Sequence, residues 1–424
     1  MSTFNEEQFK EGLVSELSLF DLPSTQTSVT DAHYEEIRPL SQVSGDGPFE
    51  FRISGQNSMD YLDLKNSQIY VKLKVEKSDG KPITSEKVGP ANLFLQSLFT
   101  SIEVSLQNKA SVTCNYNSYR AYIHTMLNYG EDALTSQFRS QGWISDSSVA
   151  VSVTDPGANN NGLFLRAQWI ANSKTLDLQG PIYHDMFSME RYLLNQVDVK
   201  VKMYRNSPSF ALLAADSSVD FQKVIDDIYI LARKIRVNPA VIYGHSKILE
   251  KSNALYPYTK VECRSQSIAT GSTSFNWENM FQGRRPEKIV LGFVKSKAVN
   301  GDYTTTNPFN FENCGNRHIA VYVDGLPVGG NPLKTDFSTT DGTSVMRAYT
   351  NLLLSAGKWR SDHGNGIKPE QFINGSTLFA FQLEPNVIPY HREYLTLVKN
   401  GHVRLESQFK SGLTGEFTFK FDIN

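Results

Sequence analysis

Hydrophobic and polar residues alternate with a period of two in segments spread over the whole chain. The segments in which every second residue is apolar include residues 69–75, 102–106, 197–201, 319–323, 403–405 and 417–423. This period is typical of strands with one buried face. Clusters of Gly, Asn, Asp and Pro separate them, at residues 78–80, 155–157, 159–162 and 329–332. The pattern predicts an all-β protein of sandwich or jelly-roll type.

Three segments have a helical period instead. Residues 119–127 place apolar side chains at helical offsets before Gly130, and residues 345–353 do the same before Gly357. The third begins at Asn238-Pro239, a plausible cap with proline at the first helical position, and continues to Leu249. Because this third helix lies near the middle of the chain, we expect it to connect two domains.

The first 40 residues differ in charge from the rest. They hold two Lys or Arg and eight Asp or Glu, a net charge of -6, whereas the whole chain has 42 Lys or Arg, 44 Asp or Glu and a net charge of -2. Thr3 and Glu6 have the spacing of a capping box, and the helix that would follow has Phe9, Leu13, Glu16, Leu17 and Phe20 on one side. We interpret residues 1–45 as an acidic arm and linker, either docked on its own body or reaching a neighbouring subunit. The acidic charge disfavours binding to DNA.

The two halves of the chain repeat one ordered series of residues. Arg120-Ala121-Tyr122 precedes Gly130, and Arg347-Ala348-Tyr349 precedes Gly357, with eight residues from Tyr to Gly each time. The further matches in the same order are residues 48–51 with 308–311, 66–73 with 316–323, Trp143 and Asp146 with Trp359 and Asp362, and 187–190 with 381–384. We interpret the series as two copies of one β-domain. The predicted domains are a first jelly roll at 46–236, a helical connector at 237–257 and a second jelly roll at 258–424.

Composition narrows the class of protein further. The chain is 40% hydrophobic and 20% charged, which excludes a disordered protein. The near-neutral charge argues against a surface that coats nucleic acid. Cys114, Cys263 and Cys314 match neither a disulfide framework nor a zinc pattern. The start of the chain lacks the features of a signal peptide, and no run of 18 apolar residues follows. We expect a soluble, thiol-reduced protein without membrane insertion, made inside a cell.

The search for a catalytic site is negative. The sequence contains no G-x-S-x-G, Walker A, H-E-x-x-H or dinucleotide-binding motif, and its eight His are scattered without metal-ligand spacing. Glu190 and Glu384 could form the carboxylate pair of a glycosidase, but they stand at equivalent places in the repeat, so structural equivalence is the better account. We therefore predict no catalytic residues, no cofactor, no metal and no enzyme.

The sequence resembles a known family, the major capsid proteins of Polinton or Maverick virus-like transposons and of the related adintoviruses. The likeness extends from about Leu19 to about Phe409. The residues that carry it are 60–64, 89–99, 119–123, 127–130, 191–195, 307–311, 322–325 and 376–381. No short motif among them is diagnostic; the ordered series is.

The resemblance implies a double jelly-roll protomer, with two eight-stranded antiparallel sandwiches side by side and a few short helices. It implies homotrimers of pseudo-hexagonal outline that tile an icosahedral shell in the virion, with minor and penton capsid proteins as further partners. Two alternatives stay open. One is a minor capsid or vertex protein, which the internal repeat disfavours. The other is a carbohydrate-binding β-sandwich protein, for which no calcium cluster or secretion signal is found.

Overall fold

The structure is a computed structural model of the 424-residue chain. It describes residues 14–20, 22–43, 47–55, 59–85, 87–107, 109, 112–281, 283–304, 306–329, 332–339, 342–384, 395 and 397–423. The predicted helical segment that starts at Thr3 lies mostly outside these residues, and so do Gly330 and Asn331 of one predicted turn. Within the arm, residues Ser15–Leu17 form one turn of 3-10 helix.

Strands dominate the described residues from end to end. In chain order they are β1 (Val29–Ile37), β2 (Phe49–Ile53), β3 (Asp60–Lys77), β4 (Val88–Pro90), β5 (Phe99–Leu106), β6 (Val112–Cys114), β7 (Leu176–Pro181), β8 (Val199–Arg205), β9 (Leu212–Ala214), β10 (Phe221–Val237), β11 (Glu262–Ile268), β12 (Ser274–Phe281), β13 (Lys288–Lys295), β14 (Asn316–Val323), β15 (Leu326–Pro327), β16 (Leu333–Lys334), β17 (Leu378–Gln382), β18 (Val403–Phe409) and β19 (Phe417–Ile423). Six of them contain all or most of the alternating segments, which confirms those predictions.

The helices are short and lie between strands. They are α1 (Phe94–Ser97), α2 (Asn117–Asn128), α3 (Glu131–Thr135), α4 (Asn161–Ile170), α5 (Pro208–Ala211), α6 (Pro239–Leu249), α7 (Ser296–Val299), α8 (Met346–Ser355) and α9 (Pro369–Ile373). The three helices expected from the sequence are α2, α6 and α8. At the start of α6, the Asn238 side chain accepts a hydrogen bond from the Ala240 amide, and Pro239 occupies the first helical position.

The first half of the chain folds into two facing sheets. One has the strand order β1-β10-β3-β7 and the other β2-β8-β5-β6, with all neighbours antiparallel. The small β4-β9 pair lies outside both sheets. Since the strands enter the two sheets in this alternating order, the unit is an eight-stranded jelly roll. Its core includes Val71 and Leu73 of β3, which are fully buried while Lys72 between them is exposed.

The second half repeats this topology strand for strand. Its sheets have the orders β11-β19-β13-β17 and β12-β18-β14-β15, with β16 also pairing with β14. Thus β11 occupies the place of β1, β13 that of β3, β14 that of β5, and β17 that of β7. The helix α2 precedes β7 in the first roll, and α8 precedes β17 in the second, so the two helices occupy the same place in the strand order. The chain is a double jelly roll.

Two expectations about the repeat and the arm are wrong. Residues 66–73 lie in β3 and residues 316–323 lie in β14, which occupy different places in their rolls; likewise 48–51 lead into β2, whereas 308–311 lie between β13 and β14. Residues 29–37, assigned to the arm, form β1 and pair with β10. The sequence of β1 shows no alternating apolar pattern, because most of its residues are exposed at the edge of the sheet and carry polar side chains.

The strand register defines two ends of each roll. Val29 pairs with Val237 and Asp60 pairs with Arg236, so the arm, the start of β3 and α6 lie at one end, here called the terminal end. The described residues of the connections 38–48, 78–98, 115–175 and 206–220 lie at the opposite end, here called the loop end. This division matters because the two rolls contact each other through long connections at the loop end.

Candidate assembly surfaces

The two rolls are joined by an aromatic cluster. Helix α2 belongs to the first roll by sequence, yet its buried side chains lie in the same apolar cluster as the core of the second roll. Tyr122 stacks on Phe309 with ring centroids 4.2 Å apart, and Tyr119 meets Phe309 edge to face at 5.8 Å. Trp143 and Phe210 complete the cluster from the first roll. Such a contact removes large apolar rings from water and fixes the two rolls side by side.

A buried hydrogen-bond network crosses the same joint. Arg166 of α4 is fully buried and donates to Asp146 at 2.7 Å and to the Pro90 carbonyl at 2.9 Å. Asp146 also accepts a hydrogen bond from Asn307 of the second roll at 3.2 Å, and Asn307 donates to the Val151 carbonyl at 2.9 Å. Because both charges are buried and paired, the network fixes the position of the 296–315 connection against the first roll.

A second buried ion pair lies at the base of α2. Arg120 contacts Asp185 at 2.5 Å, with side-chain exposures of 8% and 1%. Asp185 also accepts a hydrogen bond from the Val261 amide, which leads into β11 of the second roll. Next to it, His184 accepts from the Met186 amide through Nδ1 and lies 2.9 Å from the Val112 carbonyl through Nε2. Burial lowers the pKa of His184 to about 4, so this imidazole is neutral at pH 7.

The two repeated Arg-Ala-Tyr sequences are buried to different extents. In α2, ten of the twelve residues are buried, including Arg120, Ala121 and Tyr122. In α8, three of the ten residues are buried; Ala348 is among them, whereas Arg347 is exposed and Tyr349 is half-buried. Gly130 is half-buried and Gly357 is exposed. The four repeated residues of the first roll thus lie at the joint, whereas in the second roll Arg347 and Gly357 are exposed to solvent.

The residues considered for chemistry do not form a common site. Glu190 is exposed and contacts Lys65 at 3.5 Å, whereas Glu384 is buried and contacts Arg285 and Lys399. Their separate ion-pair partners agree with structural roles. The three cysteines are free, and burial raises the pKa of the Cys114 and Cys314 thiols, which disfavours thiolate formation.

Across the part of the chain that the structure describes, no group of three or more His, Cys, Asp or Glu side chains could hold a metal ion. Among the same residues, no helix is both long and apolar enough to cross a bilayer.

Exposed apolar side chains are frequent on the terminal end. They include Phe20 and Leu22 of the arm, which are almost fully exposed, and Tyr243, Ile248 and Leu249 of α6. Leu255, Leu395 and Leu397, which lie on connections at this end, are exposed as well, and so is Leu326 at the start of β15. Apolar surface of this kind is typical of a region that contacts another molecule.

The double jelly-roll fold is shared with viral capsid structures. The chain is similar to the cryo-EM structure of the Sputnik virophage, with a TM-score of 0.63 and 11% identity over 98% of this chain and 90% of that chain. It is similar to the Faustovirus major capsid protein, with a TM-score of 0.57 and 10% identity over 96% and 92% of the two chains. At such identities the likeness concerns the fold.

A sequence relative has nearly the same length. The chain is 25% identical over 403 residues to "Uncharacterized protein F54H12.2" of Caenorhabditis elegans, covering 92% of each protein. No family model matches the chain.

Proposed function

We propose that this protein is a structural major capsid protein whose homotrimers, with pseudo-hexagonal outline, tile an icosahedral shell. The observation that carries the proposal is the presence of two jelly rolls of identical topology, fixed side by side in one chain. Three copies then supply six similar rolls around an axis, which suits a closed ring with repeated contacts. The viral capsid structures with the same fold support this proposal.

The element we propose as its source is a Polinton- or Maverick-like transposon or an adintovirus. The ordered sequence resemblance supports this lineage. A second support is that a chain with the fold of viral capsid structures has a relative of similar length in an animal, Caenorhabditis elegans. The two rolls then descend from one duplicated domain, with Arg120, Ala121, Tyr122 and Gly130 corresponding to Arg347, Ala348, Tyr349 and Gly357. The protein is made and assembled in the host cell and resides in the virion, where minor and penton capsid proteins are its further partners.

Size-exclusion chromatography with light scattering and negative-stain imaging of the full chain tests the proposal. We expect particles of three times the chain mass of 47.6 kDa, hexagonal in outline, which form closed shells as concentration rises. A dilution series serves as the control, because a specific trimer keeps its mass over a range in which weak association is lost. A chain that stays monomeric and binds sugars would overturn the proposal in favour of a carbohydrate-binding protein.

A further inference from the structure

Helices α2 and α8 share the sequence Arg-Ala-Tyr but are buried to different extents. Aligned on Arg-Ala-Tyr, Tyr119 corresponds to Met346 and Leu127 to Leu354. Tyr119 and Leu127 are 2% and 3% exposed, whereas Met346 and Leu354 are 39% and 53% exposed. In the connections that follow the helices, Trp143 is 2% exposed and Trp359 is 53% exposed. The apolar side chains of α8 and its following connection are therefore exposed, whereas the corresponding side chains of the first roll are buried.

Two parts of the second roll pack against α2 and its first residues. One is the 296–315 connection, which contributes Phe309 and Phe311 to the aromatic cluster. The other is β11, where the Ser265 hydroxyl lies 3.0 Å from the Tyr116 hydroxyl at the start of α2. Both parts belong to the roll that follows in the chain.

The elements that would bury α8 can be identified from those that bury α2, because the two rolls have the same strand order. The strand that corresponds to β11 is β1, and the connection that corresponds to 296–315 is 78–98, both in the first roll. The first roll of the same chain already contacts the second roll through α2, so the roll that covers α8 has to come from another copy. A contact between two different surfaces of this kind is heterologous and closes into a ring when the rotation permits.

The α8 surface and strand β1 carry net charges of opposite sign. Residues 346–362 hold Arg347, Lys358 and Arg360 against one acidic residue, Asp362, a net charge of +2. Among the described residues these three cations form no ion pair. Strand β1 holds three acidic residues, Asp31, Glu35 and Glu36, and no Lys or Arg, a net charge of -3, and its Tyr34 ring is about half exposed. Glu35 and Glu36 also contact Lys234 and Arg38 of their own chain.

We propose that the α8 surface, formed by Met346, Arg347, Leu354, Lys358, Trp359 and Arg360, binds the first jelly roll of a second copy, which presents β1 and the largely exposed start of the 78–98 connection, residues 78–85. This inference rests on the proposed function, because it names the surfaces through which three copies close into a ring. Opposite charges steer the approach, and burial of Leu354 and Trp359 stabilises the contact.

The test uses full-length chains with one surface altered. The α8 variant is Lys358→Glu/Trp359→Ala/Arg360→Glu, and the β1 variant is Asp31→Lys/Glu36→Lys. Light scattering should show three times the chain mass for the wild type and the single chain mass for each variant. An equimolar mixture should form dimers that grow no further, because each variant keeps one intact surface.

A matched control carries the same kinds of substitution on α6 and just after it, namely Tyr243→Ala/Lys247→Glu/Lys251→Glu. It should keep the wild-type mass, and circular dichroism should show that all variants are folded. A trimer that survives the α8 substitutions overturns the inference while the proposed function stands, and so does an equal loss of mass in the control. Trimers that depend on the α8 surface but form no shells support the inference and contradict the proposed function. A wild-type chain that is always monomeric overturns both.

Discussion

Tyr122 of the first jelly roll and Phe309 of the second lie face to face, with ring centroids 4.2 Å apart and ring planes 3° from parallel. Both rings are almost completely buried. Since one ring comes from α2 and the other from the 296–315 connection, their stacking couples the folding of one roll to that of the other.

Replacement of either ring should therefore destabilise the whole chain. We expect Tyr122→Ala and Phe309→Ala each to lower the free energy of unfolding by about 3–5 kcal/mol, because each leaves a cavity at the joint. The double variant should lose about 1 kcal/mol less than the sum, since the stacking contact is removed only once. Urea unfolding followed by fluorescence measures these changes. Phe164→Ala, at a half-exposed ring of α4, is the control and should stay within about 0.5 kcal/mol of the wild type.

Loss of Asp185 should be costly in the same assay. Asp185→Ala leaves the Arg120 guanidinium buried without its carboxylate, so we expect a loss of about 3–5 kcal/mol in the free energy of unfolding. Glu190→Ala breaks an exposed ion pair with Lys65 and should cost at most about 1 kcal/mol. Equal effects of the two substitutions would contradict the assignment of a structural role to the buried pair.

The sequence predicts best those strands that have one buried face. Residues 69–75 and 319–323 alternate and are found in β3 and β14. Strand β13 has no alternation, because six consecutive residues, Ile289 to Val294, are buried on both faces. The alternation of β14 therefore resembles β3 more closely than the continuous apolar run of β13 does. Strand β1 also lacks alternation, but for the opposite reason: most of its residues are exposed.

The candidate surfaces were only partly predictable. The Arg-Ala-Tyr repeat pointed to α2 and α8, but sequence alone does not say that α2 is covered by residues 307–311, because that contact forms between distant parts of the chain. Residues 159–162 have the composition of a turn, yet the Asn160 side chain accepts a hydrogen bond from the Leu163 amide at the start of α4. Polar residues before an apolar run indicate a helix cap as well as a turn. A cap at Asn160 would place Arg166 on a helix.

Stability should decrease in mild acid because of His184. Its pKa is lowered by burial to about 4 in the folded chain, against about 6.5 when unfolded, so the unfolded chain binds the proton first as the pH falls. We expect this residue to cost up to about 3 kcal/mol between pH 7 and pH 4. His184→Asn keeps an acceptor for the Met186 amide but does not titrate, and its unfolding free energy should change less over this range. An identical pH dependence in both proteins would contradict this account.

The arm should be needed for shells but not for trimers. Residues 14–20 and Leu22 include no buried residue, whereas the chain from Ser28 onward is held to the body by the bond from the Asn238 amide to the Ser28 carbonyl. Deletion of residues 2–22 therefore leaves β1 and its pairing intact, so light scattering should still show the trimer mass. It removes the exposed Leu17, Leu19 and Phe20 at the terminal end, and negative-stain imaging should show few closed shells. The full-length variant Leu17→Ser/Leu19→Ser/Phe20→Ser separates apolar contact from arm length: loss of shells in this variant identifies the apolar side chains as the cause. Shells as numerous as those of the wild type from the deleted chain would reject a role for the arm in assembly.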